Sequence, residues 1–453
     1  MSASQPSTVG ALYDTQLQSA LRQFFERAAL DAEPTPASSP DARLAIEPSA
    51  NPAALIIRWF GTRYTLRVPG RWLFTAHEVR LAQAIGAVLA ARYRAITNPQ
   101  IIARRGDLFR GAIEDRYVGA FLDHKGYAIE SEEARADRIA AIIELLRVAA
   151  LSSYENRPIT TGVLLLSTTE DPYRSGRPPI ASAPAYTESL AAIKSFYRLA
   201  DGVRTLFLAN AKGRLLDIID VDRWGSQVGD ARHLQIACAR AYQPHARATM
   251  QHGHVCAVLT PSREIKLFAE GAELFTFRGA AWHLLDLQAK YRLWAEAVRN
   301  EPLAMRLFQT ALDLADAREG ALFVVVRDPA TFVSMVAAAD RLDVPMPTTG
   351  DGVKAPSRRD LLHLLEGRTA TDLDSSVLAA LASLDGATVF DRTGRLLAAG
   401  AILRHAPVDA TDGGVVEGAR TTAAMAASLF GPVLKVSEDG IITYFDRERV
   451  WEI

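Results

Sequence analysis

Cysteine is nearly absent from the chain: Cys238 and Cys256 are the only two among 453 residues. Two thiols are too few for a disulfide scaffold, which argues against a small secreted domain stapled by bridges. Long apolar runs are missing too. The most hydrophobic stretches, "GALFVVV" from Gly320 and "AAIIELLRVAAL" from Ala140, end or meet charge well before the roughly 20 residues that a membrane span requires. No transmembrane helix is expected. Neither sign of charge dominates, with 51 Lys and Arg against 52 Asp and Glu. A global basic field of the kind non-specific nucleic-acid binding relies on is therefore lacking, and nucleic acid is not an expected partner. The opening "MSASQPSTVGALYDTQ" has neither a basic start nor an apolar core of a secretory signal, so a cytoplasmic location is expected. The glycine-rich phosphate loop, the dinucleotide fingerprint, the Gly-x-Ser-x-Gly elbow and His-Glu-x-x-His do not occur, which removes the usual signatures of P-loop, Rossmann, α/β-hydrolase and zincin chemistry.

What is present is a globular composition, 49% hydrophobic and 23% charged, in a chain long enough for two or three domains. Residues 1–135 read as an α+β N-terminal region of sensor-like character. They hold a helix around "LQSALRQFFERAAL", a Pro- and Ser-rich linker or long loop over 31–54, and a hairpin in "ALIIRWFGTRYTLRV" turning at Gly61 and Thr62. Residues 136–295 and 296–453 each read as α/β, a mixed sheet with flanking helices. The two share an order. A helix leads to a buried strand ("TGVLLL", then "ALFVVV"), a hairpin follows ("TLFLANAKGRLLDIID", then "ATVFDRTGRLLAAGAIL"), then a helix ("ARHLQIACARAY", then "ARTTAAMAASLF"), then two strands. Gly213-Arg-Leu-Leu216 matches Gly394-Arg-Leu-Leu397, and Val258–Ser262 is paired with Val433–Ser437 in this reading. A tandem repeat is expected.

Two turns in the second copy carry chemistry. Asp385-Gly386-Ala387 stands at a strand entry, where glycine lets the backbone approach a ligand and aspartate can hold a divalent cation. Gly418-Ala419-Arg420-Thr421-Thr422 opens a helix, where free backbone N–H groups, the dipole, hydroxyls and a guanidinium favour phosphate. Metal carboxylate plus phosphate cradle describes a nucleotide site.

Those segments, "LDGATVF", "GRLLAAGAIL", "GARTTAA" and "VLKVSEDGIITYF" preceded by "GALFVVV", together resemble the diadenylate cyclase (DAC) domain family, nucleotidyltransferases that join two ATP molecules into the second messenger cyclic di-AMP. The resemblance covers about residues 300–453. It implies that Asp385 is catalytic, binding Mg2+ or Mn2+ and activating a ribose 3′-hydroxyl, beside Gly386 and Ala387 in the nucleotide site. Of the family's Gly-Thr-Arg-His-Arg signature, Gly418 and Arg420 are kept, and Ala419, Thr421 and Thr422 stand where threonine, histidine and the second arginine would be. The family's Ser-Glu is kept at Ser437 and Glu438. Arg404 and His405 follow the hairpin and are candidates to restore the missing charge. Members work as face-to-face pairs, so a homo-oligomer is implied.

The first copy has Asp201-Gly202 at a different distance from its hairpin glycine and no glycine-rich helix entry, so residues 136–295 are expected to be a degenerate, non-catalytic DAC-like domain. Two functions stay open: cyclisation of ATP, or a catalytically inactive sensor of ATP or a cyclic dinucleotide on the same fold. A structural module with empty pockets is the third. His252, His254 and Cys256 alternate along a strand and, with Cys238 or His245, suggest zinc; the spacing fits no common zinc module and one strand face is crowded for three ligands. The loop 345–360 reads as a solvated connection, and Trp282, Tyr291 and Trp294 as packing residues at helical spacing.

Overall fold

The computed structural model describes residues 8–25, 28–35, 44–47, 49, 51–67, 73–123, 127, 134–169, 183–228, 236–250, 253–342, 363–404 and 418–453. These form a mixed α/β protein with three main sheets flanked by helices. The chain divides into two compact units. Unit 1 is Met1–His233 with Pro244–Asp286, and unit 2 is Leu234–Gln243 with Leu287–Ile453.

Unit 1 begins with helix α1 (Thr8–Phe24) and a four-stranded antiparallel sheet of β1 (Ala29–Pro34), β2 (Ala45–Glu47), β3 (Ala54–Trp59) and β4 (Thr62–Arg67), in the order β1-β4-β3-β2. The expected linker over 31–54 thus contributes two edge strands. Proline is tolerated at a strand end on a sheet edge, and β1 is exposed along most of its length, so no alternation marks it as a strand. The following hairpin turns on Phe60 and Gly61, both at positive φ (45° and 77°), because Trp59 pairs with Thr62. That is one residue earlier than expected. Helix α2 (Ala76–Thr97) starts at a capping box in which Thr75 and Glu78 satisfy each other's backbone N–H groups. Its His77 sits between Asp286 (3.1 Å) and Glu270 (3.7 Å), with Arg80 on the same Glu270 (2.6 Å). Hydrogen bonding to Asp286 and Glu270 lifts the imidazole from 6.5 to about 9.

The same unit holds α3 (Ile113–Leu122), α4 (Arg135–Ala150) and a seven-stranded sheet: β5 (Thr161–Leu165), β6 (Thr205–Ala209), β7 (Leu215–Asp220), β8 (Val255–Leu259), β9 (Ile265–Ala269), β10 (Ala272–Arg278) and β11 (Ala281–Leu284), ordered β11-β10-β9-β8-β5-β6-β7. The first 135 residues and this sheet pack together: Trp282 donates to Asp115 at 2.8 Å, and the rings of Phe121 and Phe275 meet at 4.8 Å. Trp282 is therefore on a strand, not at helical spacing, while Tyr291 and Trp294 lie on the next helix; all three are buried.

Unit 2 contains α5 (Leu287–Val298), α6 (Glu301–Ala317) and a six-stranded sheet of β12 (Ala321–Val326), β13 (Ala387–Asp391), β14 (Leu396–Ala401), β15 (Val433–Val436), β16 (Ile442–Asp446) and β17 (Glu448–Glu452), ordered β14-β13-β12-β15-β16-β17. The expected helix in "ARHLQIACARAY" is absent from Ile236–Ala239. Its backbone is claimed by side chains instead. Gln288 donates to the Ile236 carbonyl, Gln309 to the Cys238 carbonyl at 3.0 Å, and the Arg240 N–H donates to Asp313 at 2.7 Å. Strand β12 is buried at every position, as a parallel-paired central strand covered on both faces should be. Helices α7 (Ser375–Ala382) and α8 (Ala419–Ser428) pack on this sheet. Among the described residues no helix is long and apolar enough to cross a membrane.

Candidate functional site

Strand direction gathers the candidate residues at one end of the unit 2 sheet. Strands β12 and β13 run parallel with Phe323 opposite Thr388, so Gly320 and Ala321 lie level with Asp385 and Gly386. Strand β15 runs antiparallel to β12 with Val436 opposite Ala321, which brings Ser437 and Glu438 out at that same end. Strand β14 pairs Ala401 with Ala387, so Arg404 leaves there too. Helix α8 precedes β15 and runs back along the sheet, which puts its N-terminus at this end as well. At a strand spacing of ~4.8 Å, the backbone of Asp385 and that of Ser437 stand about 10 Å apart, two strands across.

Asp385 is exposed at the strand entry, and among the described residues no hydrogen bond or ion pair reaches its carboxylate. Gly386 has φ 111°, and a Cβ there would fall 2.5 Å from the Gly400 carbonyl carbon. The glycine therefore lets the Asp385 turn lie flat on the neighbouring strand. Ala387 is buried as the first residue of β13.

Gly418 caps α8 without any side-chain hydrogen bond, and the helix has no acidic residue in its first turn. The Thr421 and Thr422 N–H groups both donate to the Gly418 carbonyl, at 2.8 and 3.2 Å. Arg420 folds back across the start of β12. A Cβ on Gly320 would lie 2.8 Å from its Cζ, so only glycine leaves the guanidinium this place. Its Nη1 is 3.8 Å from Glu438 Oε1. Ser437 closes the β15–β16 turn, donating its N–H to Ile441 at 2.9 Å and accepting the Ile441 N–H on Oγ at 3.2 Å. That is a structural task. The Arg404 N–H donates to the Met335 carbonyl at 2.8 Å, and the residue is exposed; no described contact joins its side chain to Arg420. His405 lies outside the described residues.

Two residues at this end were not legible in the sequence as site residues. Gly320 is one. Lys435 is the other: its Nζ donates to Thr421 Oγ1 at 3.0 Å. The signal for it was a lone charge inside the apolar "PVLKV". The zinc candidates do not assemble, since no cluster of three metal-binding side chains occurs among the described residues. His254 accepts the Ser167 N–H instead, and His245 bonds the Gly202 carbonyl at 2.8 Å; His252 and the loop 345–360 lie outside the described residues.

No protein family model matches the chain, and no curated protein does. Among solved structures, one described as a hypothetical membrane spanning protein from Bacillus cereus is 18% identical over 32% of this chain and 61% of its own, with a TM-score of 0.23. The chain thus spans less than two thirds of that protein's length. DacA from Staphylococcus aureus, solved as a double mutant, is 18% identical over 33% of this chain and 85% of its own, with a TM-score of 0.20.

Proposed function

We propose that unit 2 binds ATP at this end of its sheet and condenses two ATP molecules into cyclic di-AMP, in the manner of the diadenylate cyclases its motifs resemble. The observation that carries the reading is the register itself. A carboxylate with no described partner at the Asp385 turn and a cationic, acid-free helix start at Gly418–Thr422 emerge on one sheet end, about two strands apart.

In this reading the 3′-hydroxyl oxygen of one nucleotide attacks the α-phosphorus of the other. The new P–O bond forms as the bond to the β-phosphate oxygen breaks, pyrophosphate leaves, and the hydroxyl proton is released toward Asp385. A second, identical step closes the ring. Arg420, for which Gly320 leaves room and whose Nη1 lies 3.8 Å from Glu438, sets its guanidinium toward the phosphates, and the N–H groups of Ala419 and Arg420 at the start of α8 receive their oxygens. A divalent cation, when bound, neutralises part of the triphosphate charge. Asp385 suits it as a single carboxylate ligand, because magnesium commonly takes one or two protein carboxylates and completes its shell with water and substrate phosphate.

Mass spectrometry of the full chain incubated with ATP and Mg2+ or Mn2+, beside Asp385→Asn, tests the proposal. Cyclic di-AMP that vanishes in the variant supports it. ATP bound but intact would make the protein a sensor, for which the neutral Thr421 and Thr422 are the structural reason.

A further inference from the structure

In unit 1 the chain doubles back at the C-terminal end of α2. Asn98 ends that helix, and its side chain caps the short helix Pro99–Arg104 by accepting the Gln100 N–H at 3.0 Å. A single 3-10 turn, Gly106–Phe109, follows. One apolar set of this knuckle faces inward: Leu108 is buried against Ala91 and Ala95 of α2, with Ile101 and Tyr127 packed on it. A second set faces out, with Ile96, Ile102 and Phe109 exposed by 42%, 40% and 38%. Arg92 joins its members. The Arg92 Nε donates to the Leu108 carbonyl at 2.7 Å, and its guanidinium carbon lies 5.4 Å from the centre of the Phe109 ring. Ile96 stands one turn further along the same face of α2, and Ile102 directly follows the inward-packed Ile101.

The charge around this outward set is of one sign. Between Arg94 and Gly111 the cations are Arg94, Arg104, Arg105 and Arg110, and Asp107 is the sole acid. Arg105 is buried and takes up that acid, bonding Asp107 at 3.1 Å as well as Asp137. Arg94, Arg104 and Arg110 are exposed, and among the described residues no carboxylate pairs with any of them. Single exposed apolar side chains are ordinary on a protein surface. A group of them ringed by unpaired cations has the make-up of an interfacial anchor, whose apolar side chains enter the acyl boundary while its cations meet anionic headgroups. A nucleic acid would use the arginines and leave the isoleucines idle, whereas a bilayer uses both. We propose that this knuckle docks the chain on an anionic lipid surface, with Arg94, Arg104 and Arg110 on the headgroups and Ile96, Ile102 and Phe109 in the boundary below them. Such attachment is peripheral and needs no spanning helix.

Co-sedimentation of the full chain with vesicles tests it, using phosphatidylcholine alone and phosphatidylcholine mixed with phosphatidylserine. The wild type is expected to pellet with the mixed vesicles, to pellet far less with the neutral ones, and to be released by added salt. The triple variant Arg94→Gln/Arg104→Gln/Arg110→Gln should partition onto the mixed vesicles about 100-fold less, from about fivefold per cation. Ile96→Ser/Ile102→Ser should lower the partitioning about tenfold and keep the salt dependence of the wild type. All five side chains are exposed, so both variants should melt with the wild type. If either melts lower, the single substitutions Arg104→Gln and Ile102→Ser on the short helix take its place. Wild-type protein that stays in solution, or that pellets equally with both vesicles, overturns the proposal. So does binding that the arginine variant retains. Binding that the arginine variant loses and the isoleucine variant keeps in full marks a charge-only site for a nucleic acid or an acidic protein, and equally rules out the lipid surface.

Discussion

The sheets of units 1 and 2 are two versions of one topology. Reading each from its central strand, β5 runs parallel to β6 and antiparallel to β8, as β12 does to β13 and β15, and the hairpin partners β7 and β14 close the same edge. The hairpin turns agree atom for atom: Asn210 accepts the N–H groups of Lys212 and Arg214, and Asp391 those of Thr393 and Arg395. The turns after β8 and β15 agree as well, with Thr260 in the place of Ser437. The equivalent of Ser437 is thus Thr260, two residues before the Ser262 that the sequence pairing suggests. What differs is the end of the sheet that carries Asp385 in unit 2. In this register Asp385 corresponds to Arg204, not to Asp201. Asp201 lies three residues earlier and turns its carboxylate onto the N–H groups of Val203, Arg204 and Thr205. Gly202 leans on the Thr161 carbonyl, whereas Gly386 leans on Gly400. The two Asp-Gly pairs look alike in one dimension and do unrelated work. A fold can be kept while its chemistry is rebuilt or lost at one row of residues.

The sharpest way to break this contrast is by activity. Asp385→Asn should lower cyclic di-AMP production by a factor of about 100 or more, while Arg204→Asn, at the equivalent position of the other sheet, leaves it unchanged; equal effects would dissolve the distinction. Next in size are the glycines. Gly386→Ala and Gly202→Ala both force a side chain into backbone at positive φ, and each should cost about 3 kcal/mol, read as a drop in melting temperature. The aspartates themselves should then separate by stability in the reverse sense. Asp201→Ala strips three backbone donors and should cost about 1 kcal/mol, whereas Asp385→Ala leaves melting unchanged. A separate effect, read by pH, is confined to unit 1. His77, raised from 6.5 to about 9 by its bonds to Asp286 and Glu270, contributes stability that is complete below 6.5 and is lost as pH rises through about 9. Denaturant midpoints compared across that range should fall in wild type and stay flat in His77→Gln.

Much of this was readable because local and global signals agreed. The buried run "ALFVVV", the Gly213 and Gly394 hairpins and the amphipathic α2 and α6 each stand where periodicity and turn chemistry put them. The edge strands β1 and β2 carried no such signal, since exposed edges need no apolar alternation. Segment Ile236–Ala239 carried a misleading one, because its backbone carbonyls are taken by the side chains of Gln288 and Gln309, far away in sequence, instead of by a helix. At the site, Asp385 and Arg420 could be picked out by type and spacing. Gly320 and Lys435 could not, because their places beside Arg420 and Thr421 depend on the register between β12 and β15, which sequence spacing does not encode.

The dispersed make-up of unit 2 has a consequence for how the chain is made. The Cys238 carbonyl and the Arg240 N–H meet Gln309 and Asp313 across 71 and 73 residues. At ~5–20 residues per second the ribosome needs about 4–14 s to deliver those partners. During that interval the stretch from Leu234 to Gln243 has been synthesised and its side-chain partners Gln309 and Asp313 have not. A chain of this design holds one short piece in reserve until the second half of its own translation arrives.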